Sequence, residues 1–265
     1  MINNPLVMGI INITPDSFYS GSRFTNETDI IRQVEKMINE EVDIIDIGAQ
    51  STRPGAQQLS VDEELKRLIP VIELLHKNFA GLIISVDTFN SYVAKESVAA
   101  GACMINDIGG GNFDEDMLST VAKLKVPYVC MHIKGTPQTM QKSPEYENVT
   151  KEVFDFFIER TDACKKAGIN DVIIDPGFGF GKNKKHNFEL LKNLSVFEML
   201  ERPVLTGISR KSTIYKTLGI TVDEALNGTT VLHTIALMNG ANILRVHDVK
   251  EAREAIKLFV EYLAG

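Results

Sequence analysis

The segment 44–75, IIDIGAQSTRPGAQQLSVDEELKRLIPVIELL, decides the fold. It opens with IIDI at 44–47, a short apolar run typical of a strand that is buried on both faces. Apolar residues then recur at the helical period: Val61, Leu65, Leu68, Ile69, Ile72 and Leu75. Ser60, with Glu63 three residues later, predicts a capping box, and Pro70 predicts a kink or a break. The segment is therefore one strand followed by one amphipathic helix.

The same unit repeats along the whole chain. Short apolar runs predict eight strands, at 7–13, 44–47, 82–86, 104–106, 127–131, 172–174, 204–208 and 243–246. Two further helical stripes are Ile30, Ile31, Val34, Met37 and Ile38, and Val249, Ala252, Ile256, Phe259, Val260 and Leu263. No linker rich in Pro, Gly or Ser interrupts the series. The sequence predicts one α/β domain over residues 1–265, a single (β/α)8 TIM barrel; an open doubly wound sheet is the alternative.

Composition and charge narrow the function class. With 44% hydrophobic and 24% charged residues, the chain is neither disordered, collagen-like nor a coiled coil. The net charge of −7 argues against a general nucleic-acid binder but permits an anionic substrate, because local charge can oppose net charge. We expect no membrane span and no signal peptide, and hence a cytoplasmic protein.

The three cysteines, Cys103, Cys130 and Cys164, are expected to be buried reduced thiols. A metal site at Cys130 and His132 is an alternative, but two ligands alone are a weak signal for one.

Polar residues follow the predicted strands at their carboxyl ends, where the active sites of barrel enzymes lie. They are Asn12, Ser51, Thr52, Arg53, Asp87, Asn106, Asp107, His132, Asp175, Ser209, Arg210, Lys211, Arg245 and His247. The cations and hydroxyls among them suit a phosphate or diphosphate, whereas Asp87, Asn106 and Asp175 can bind the edge of a nitrogen heterocycle. Taken singly, each has a structural alternative: a rim ion pair for a cation, a helix cap for Asp87 and a turn for Asp175.

Other catalytic patterns are incomplete. Residues 177–182, GFGFGK, are one residue short of a P-loop and are followed by Asn183 instead of Ser or Thr. No G-x-G-x-x-G follows the first strand, and the segment 207–211, GISRK, lacks the second glycine of a nucleophile elbow. The histidines form no H-E-x-x-H pattern. Neither a dinucleotide cofactor nor covalent or zinc chemistry is expected.

Eight motifs, in order, resemble those of the dihydropteroate synthases, the folate-pathway enzymes that sulfonamides inhibit. They are MGIINITPDSF (8–18), DIGAQSTRPG (46–55), SVDT (85–88), IND (105–107), MH (131–132), DPGFGFGK (175–182), SRKS (209–212) and RVH (245–247). The resemblance covers nearly the whole chain. It implies a transferase that joins 4-aminobenzoate to a dihydropterin carrying a methylene diphosphate, releasing pyrophosphate and forming dihydropteroate.

The resemblance also implies a role for each matching position, with no covalent nucleophile. Asn12 would bind the Mg²⁺ that holds the diphosphate. The diphosphate would be contacted by Thr52, Arg245 and His247. The pterin ring would be held by Asp87, Asn106, Asp175 and Lys211, of which Asp175 and Lys211 orient it. The aminobenzoate side would be lined by Arg53, Pro54, Phe180 and Ser212, with Phe18 closing over it. A homodimer is implied as well.

Some local features differ from the family's usual pattern. Tyr19-Ser20 lacks an acidic loop residue, Ala49-Gln50 replaces a glycine-containing pair, and the glycines at 109–111 predict a flexible stretch. The polar segments 14–26 and 51–60 are predicted to close over the second substrate and to order on diphosphate binding; plain surface loops are the alternative.

Two other functions fit a pterin-binding barrel. A methyltransferase would pass a methyl group to a cobalamin partner, and a noncatalytic paralogue would only bind the pterin. The run Ser51 to Pro54 and the run Ser209 to Lys211 favour the synthase over the methyltransferase. The complete set Asn12, Thr52, Lys211, Arg245 and His247 argues against a lapsed enzyme.

Overall fold

The computed structural model describes residues 4–13, 23–50, 58–141 and 144–265, with backbone alone for 23–26. The strands are β1 (Leu6–Asn12), β2 (Ile44–Gly48), β3 (Ile83–Asp87), β4 (Met104–Asp107), β5 (Tyr128–Met131), β6 (Val172–Asp175), β7 (Leu205–Thr206) and β8 (Ile243–Val246). The helices are α1 (Arg23–Asn39), α2 (Val61–Asn78), α3 (Ser91–Ala99), α4 (Met117–Leu124), α5 (Val149–Ala167), α6 (Lys184–Lys192), α7 (Ser212–Leu218), α8 (Leu226–Met238) and α9 (Val249–Ala264). Short 3₁₀ segments cover Leu194–Leu200 and Asp223–Ala225.

The eight strands form one parallel sheet that curls into a ring. Their order is β6-β5-β4-β3-β2-β1-β8-β7, and every paired ladder is parallel. The remaining seam, between β6 and β7, is closed by a bridge between Ile174 and Val204, where the Ile174 N–H donates to the Pro203 carbonyl at 2.9 Å. The predicted (β/α)8 barrel is therefore confirmed, and the open sheet is not formed. The assignment of residues 1–265 to one domain stays a prediction.

The barrel interior is layered, apolar below and polar above. The lower layer consists of Met8, Ile44, Met104, Val129, Ile173, Leu205 and Ile243. Because side chains alternate between the two faces of a strand, the residue two positions further along points into the same interior, nearer the carboxyl end. In four strands that residue is polar: Asp46, Asn106, Asp175 and Arg245. Strand periodicity thus places these side chains together on an apolar floor.

The outer face of the strands packs against the helices. In α2, the buried side chains of Leu68, Ile72 and Leu75 form the stripe that the sequence predicts. Ser60 caps the helix by accepting from the Glu63 N–H at 3.3 Å, whereas the Glu63 carboxylate pairs with Arg67, so only half of the predicted capping box forms.

Three local features differ from the predictions. The helix α2 runs through Pro70, so the break is not formed, and the kink stays a prediction; Pro70 lies on the exposed face, where water can satisfy the carbonyl that loses its N–H partner. Strand β7 is shorter than 204–208, because the chain turns at Ile208, whose carbonyl accepts from the Lys211 N–H at 3.2 Å. Cys103 is exposed just before β4, whereas Cys130 and Cys164 are buried as expected.

Candidate active site at the carboxyl end of the barrel

Asp46 is the centre of a buried hydrogen-bond network. It is 0% exposed, and its carboxylate accepts from the Ser85 hydroxyl at 2.6 Å, from Asn106 Nδ2 at 3.0 Å and from Arg245 Nε at 2.7 Å. A carboxylate without water is tolerated only when donors of this kind surround it. Asp46 therefore fixes which way the Asn106 amide and the Arg245 guanidinium point.

Arg245 also connects this network to Asp87, at the end of β3. Its Nη2 donates to Asp87 Oδ2 at 2.9 Å, so one guanidinium bridges two carboxylates. Burial, reinforced by the negative charge of Asp46, raises the pKa of Asp87 to about 7, while Arg245 opposes the rise. A carboxyl that titrates near neutral pH can either accept a hydrogen bond or donate one.

Asp175 and Lys211 form the opposite wall of the site. Asp175 is 5% exposed, and its Oδ1 accepts from the Gly177 N–H at 2.8 Å. Burial raises the pKa of Asp175, and Lys211 opposes that rise. The Lys211 ammonium donates to the Phe178 carbonyl and lies 4.6 Å from the centroid of the Phe180 ring. Burial lowers the pKa of Lys211 to about 8.

Ser209 and His247 meet across the ends of β7 and β8. The Ser209 hydroxyl oxygen accepts from the backbone N–H of His247 at 3.2 Å and lies 3.1 Å from Nδ1 of the His247 ring. Arg210, between Ser209 and Lys211 in sequence, has a φ of +51°. It forms a two-point ion pair with Asp248, at 2.8 and 2.9 Å, which ties the two loops together.

Asp107 serves the scaffold rather than the barrel interior. It is adjacent to Asn106 and therefore points to the other face of β4, where it accepts from the Tyr128 hydroxyl at 2.6 Å. Its two carboxylate oxygens also accept from the N–H groups of Gly109 and Gly111, each at 2.7 Å. The glycine run at 109–111 is thus bound to Asp107 at both ends, and the flexibility expected of it stays a prediction.

The segment 177–182 curls around its own lysine. Lys182 is 2% exposed, and its Nζ lies 3.0 Å from the Gly177 carbonyl, 3.1 Å from the Phe180 carbonyl and 2.9 Å from His132 Nδ1. A P-loop lysine would reach outward to phosphate, which this one does not. His132 is thereby committed to Lys182, and no three metal-ligating His, Cys, Asp or Glu side chains cluster among the described residues.

Gln50, shortly after β2, is bound to two residues near the start of α2. Its Nε2 donates to Glu64 Oε2 at 2.6 Å, and its Oε1 accepts from the Leu59 N–H at 3.4 Å. The residue that departs from the family's usual glycine-containing pair therefore has a structural use in this chain.

The predicted site residues divide into three groups. The structure brings together Asp87, Asp175, Lys211 and Arg245, whose charges influence one another's pKa values, and Asn106, which is bound to Asp46 beside them. Phe180 lies against Lys211, and burial, together with the nearby charges of Arg245 and Lys211, lowers the pKa of His247. Asn12 ends β1 and Ser212 begins α7, both exposed. Thr52, Arg53, Pro54 and Phe18, with most of the loop segments 14–26 and 51–60, lie outside the described residues. The individual roles of all these residues stay predictions.

Sequence reasoning did not assign Asp46, Ser85 or Lys182. For Asp46 a signal exists, because it lies two residues beyond Ile44 in a strand that is otherwise apolar. A charged residue at an inward position of a buried strand requires partners inside the barrel.

Comparison with known proteins agrees with this geometry. The sequence profile of the family described as "Pterin binding enzyme" matches residues 8–247. The dihydropteroate synthase of Escherichia coli (strain K12) is 44% identical over 259 residues, which are 97% of this chain and 91% of the relative. The crystal structure of Yersinia pestis dihydropteroate synthase with a sulfonamide drug complex has a TM-score of 0.93 at 40% identity, covering 100% of this chain and 96% of that one. The Xanthomonas albilineans dihydropteroate synthase in complex with 7,8-dihydropteroate has a TM-score of 0.88 at 38% identity, covering 100% and 96%.

Proposed function

The chain belongs to the dihydropteroate synthases, a family of pterin-binding enzymes, and on that basis we propose that it joins 4-aminobenzoate to (7,8-dihydropterin-6-yl)methyl diphosphate in folate biosynthesis. The products are 7,8-dihydropteroate and pyrophosphate. The observation that carries this proposal is the polar layer of the barrel, in which carboxylates, an amide and a lysine converge above an apolar floor. Such a layer suits a flat, polar heterocycle.

The pterin ring is proposed to lie against Asp87, Asn106, Asp175 and Lys211. Asn106 Nδ2 is bound to Asp46, so its oxygen is the atom left to accept a ring N–H. Asp175 Oδ1 is held by the Gly177 N–H, which fixes the carboxylate plane and directs Oδ2 to an N–H of the aminopyrimidine. The Lys211 ammonium can donate to a ring acceptor while it remains close to Phe180.

In this reaction the protein has to orient the two substrates and to exclude water, and it supplies no nucleophile of its own. The bond between the methylene carbon and the diphosphate oxygen breaks, and both electrons leave with pyrophosphate. The arylamine nitrogen forms the new bond to that carbon and afterwards loses a proton. The electron-rich ring spreads the positive charge that develops as the leaving group departs. Orientation and preorganised charge are the effects that accelerate such a step.

The diphosphate is proposed to contact Thr52, Arg245 and His247. In the structure, Arg245 uses Nε for Asp46 and Nη2 for Asp87, so Nη1 is the group through which it would meet a phosphate oxygen. The contact between His247 and Ser209 holds the imidazole at the end of β8, beside this position.

Mg²⁺ is proposed to bind through Asn12. Mg²⁺ prefers hard oxygen ligands, keeps several waters and commonly takes only one or two protein groups beside substrate phosphates. An exposed amide at the end of β1, without a cluster of acidic or imidazole ligands among the described residues, fits this kind of site. When bound, the ion would neutralise charge on the departing diphosphate.

The aminobenzoate is proposed to lie on the side of Arg53, Pro54, Phe180 and Ser212. Ser212 is the exposed first residue of α7, directly after Lys211, and Phe180 lies against the Lys211 ammonium. These two residues therefore border the pterin position, where the nitrogen of the second substrate must reach the methylene carbon.

A cytoplasmic homodimer is proposed as the working form. Helices α8 and α9 pack side by side and expose large apolar side chains: Val231, Ile235, Met238, Leu258, Tyr262 and Leu263. Such a surface suits an isologous interface. The three cysteines are free, as in a reducing compartment, and none of the described helices is long and apolar enough to cross a membrane. Sedimentation equilibrium tests this interface: the wild type should be a dimer and Met238→Lys, which places a charge in the apolar surface, should be a monomer. A Met238→Lys protein that remains dimeric would contradict an interface formed by this surface.

The decisive experiment measures pyrophosphate and dihydropteroate together, with pterin diphosphate, 4-aminobenzoate and Mg²⁺. We expect both products in equal amounts, and a loss of about 100-fold or more in Asp175→Asn and Lys211→Ala because both hold the ring. Tight pterin binding without either product, in folded wild type, would overturn the synthase proposal in favour of a methyl-transferring or noncatalytic pterin protein.

A further inference from the structure

Lys182 is a buried cation that the proposed reaction does not use. Its ammonium lies 2.9 Å from His132 Nδ1, 3.0 Å from the Gly177 carbonyl, 3.1 Å from the Phe180 carbonyl and 3.4 Å from the His132 carbonyl. With 2% exposure it is shielded from solvent, so these acceptors replace its hydration shell. A cation enclosed in this way needs a structural or functional reason, since burying it costs free energy.

The acceptors around Lys182 belong to the segment that orients two pterin-holding residues. The N–H of Gly177 fixes Asp175, and the carbonyl of Phe178 receives the Lys211 ammonium. Lys182 binds the carbonyls on either side of these groups, at Gly177 and Phe180. Moving those carbonyls would therefore shift the Asp175 carboxylate and the Lys211 ammonium together.

The backbone of this segment has a conformation that needs an internal partner. Gly177, Gly179 and Gly181 all have positive φ, so the chain coils tightly, with carbonyls directed at one point. Carbonyl oxygens that point towards the same place repel one another unless a cation or several N–H donors lie between them. The Lys182 ammonium occupies that point.

His132 completes the arrangement from strand β5. Burial lowers the pKa of Lys182 well below its usual value, and the negative charge of Asp175 opposes that fall. In the ammonium form Nζ donates to His132 Nδ1, and the imidazole proton then lies on Nε2. Burial lowers the pKa of His132 to about 2, which keeps the imidazole neutral and able to accept. The segment is thereby attached to the strand next to β6.

We propose that Lys182 is a positioning residue of the pterin site: its ammonium holds residues 177–180 in the conformation that directs Asp175 and Lys211 to the ring. It does not touch the substrate. This inference rests on the proposed function, because it assumes that Asp175 and Lys211 hold a pterin.

The test replaces Lys182 by Met, which keeps the length of the side chain and removes its donors. The probe is 6-hydroxymethyl-7,8-dihydropterin, which lacks a leaving group, so binding is measured without turnover. We expect the Kd of this pterin to rise, and kcat/KM for the pterin diphosphate to fall by about 100-fold, the loss that a displacement of about 1 Å can cause. Inhibition by pyrophosphate with Mg²⁺, which tests the far side of the site, should change less than about threefold.

Lys134→Met is the matched control. Lys134 is a lysine of the neighbouring loop whose Nζ pairs with Glu152 at 3.0 Å and lies 4.0 Å from the Tyr146 ring centroid, and no contact links it to residues 177–180 through its ammonium. The control should bind the pterin as the wild type does. Wild-type pterin affinity in a folded Lys182→Met protein would overturn the inference.

Lys182→Gln carries the test if the Met variant does not fold. Gln is shorter and offers two donors, so we expect an intermediate Kd, and wild-type affinity would again overturn the inference. A failure of the proposed function is distinguishable, since the wild type itself would then not bind the pterin or form dihydropteroate.

Discussion

Removing the carboxylate of Asp46 should destabilise the barrel far more than removing a partly exposed one. In Asp46→Ala, the Ser85 hydroxyl, the Asn106 amide and the Arg245 Nε lose their acceptor in a place that water does not reach. Breaking a buried pair by deleting one partner costs about 3–5 kcal/mol, and we expect a loss in this range.

Asp46→Asn should be far milder, because an amide can preserve the topology of the network. Its oxygen can take the place of Oδ2, which accepts from both Asn106 and Arg245, while its NH₂ replaces Oδ1 and donates to Ser85, whose hydroxyl reverses its role. Only the charge assistance is lost, at about 1–2 kcal/mol. The pKa of Asp87 should fall below its value of about 7, since the charge of Asp46 helps to raise it.

The assay is urea unfolding, followed by far-UV circular dichroism at fixed pH. Asp43→Ala is the control, because Asp43 pairs with Arg253 and accepts from the Val7 N–H at 2.7 Å near the amino end of the barrel, with a side chain 31% exposed. That variant should lose about 1 kcal/mol. The reasoning is refuted if Asp46→Ala loses no more free energy of unfolding than Asp43→Ala, or if Asp46→Asn is as unstable as Asp46→Ala.

Three further outcomes follow from the site. Because burial lowers the pKa of Lys211 to about 8 and the ammonium is the donating form, kcat/KM for the pterin diphosphate should fall as pH rises above about 8; in Lys211→Arg this alkaline limb should be absent, and a retained limb would assign it to another group. In Gly177→Ala the new Cβ would lie 1.9 Å from the His132 carbonyl oxygen, so the free energy of urea unfolding should fall by about 3 kcal/mol or more. Gly168 also has a positive φ but has open space around it, so Gly168→Ala should lose only about 1 kcal/mol. Equal losses in the two variants would contradict the steric explanation. Asn12→Ala should raise the Mg²⁺ concentration for half-maximal rate by about tenfold or more without changing pterin affinity, and an unchanged Mg²⁺ requirement would exclude Asn12 as a ligand.

The strands and the rim could be predicted because both depend on local pattern. Short β-branched runs locate the strands, and polar residues such as Asp87 and Asp175 stand where those runs end. The boundaries of β7 could not be predicted, because the run of strand-forming residues continues to Ile208, whereas the strand ends at Thr206 and the backbone turns at Ile208. Burial of Cys103 failed for a similar reason, since an apolar neighbourhood in sequence does not fix which side of a connection faces solvent.

The partners of the site could not be predicted from spacing. Arg245 looks like a free phosphate ligand in the sequence, but it bridges Asp46 and Asp87, which are far away in the chain. Lys182 ends a glycine-rich run that resembles a phosphate loop, and only its burial and its contacts with the Gly177 and Phe180 carbonyls show that its ammonium is directed inward. Both cases turn on which way a long side chain points, and that is decided by packing across strands.

The single bridge between Ile174 and Val204 has a mechanical consequence for ligand binding. Because, among the described residues, β6 and β7 are joined by this bridge alone, the barrel should open most easily between these two strands. Asp175 stands on one side of that opening, and Lys211 follows the strand on the other side. A ligand that binds both residues would hold β6 and β7 together across this seam. Its binding free energy would then add to the free energy of unfolding of the whole barrel.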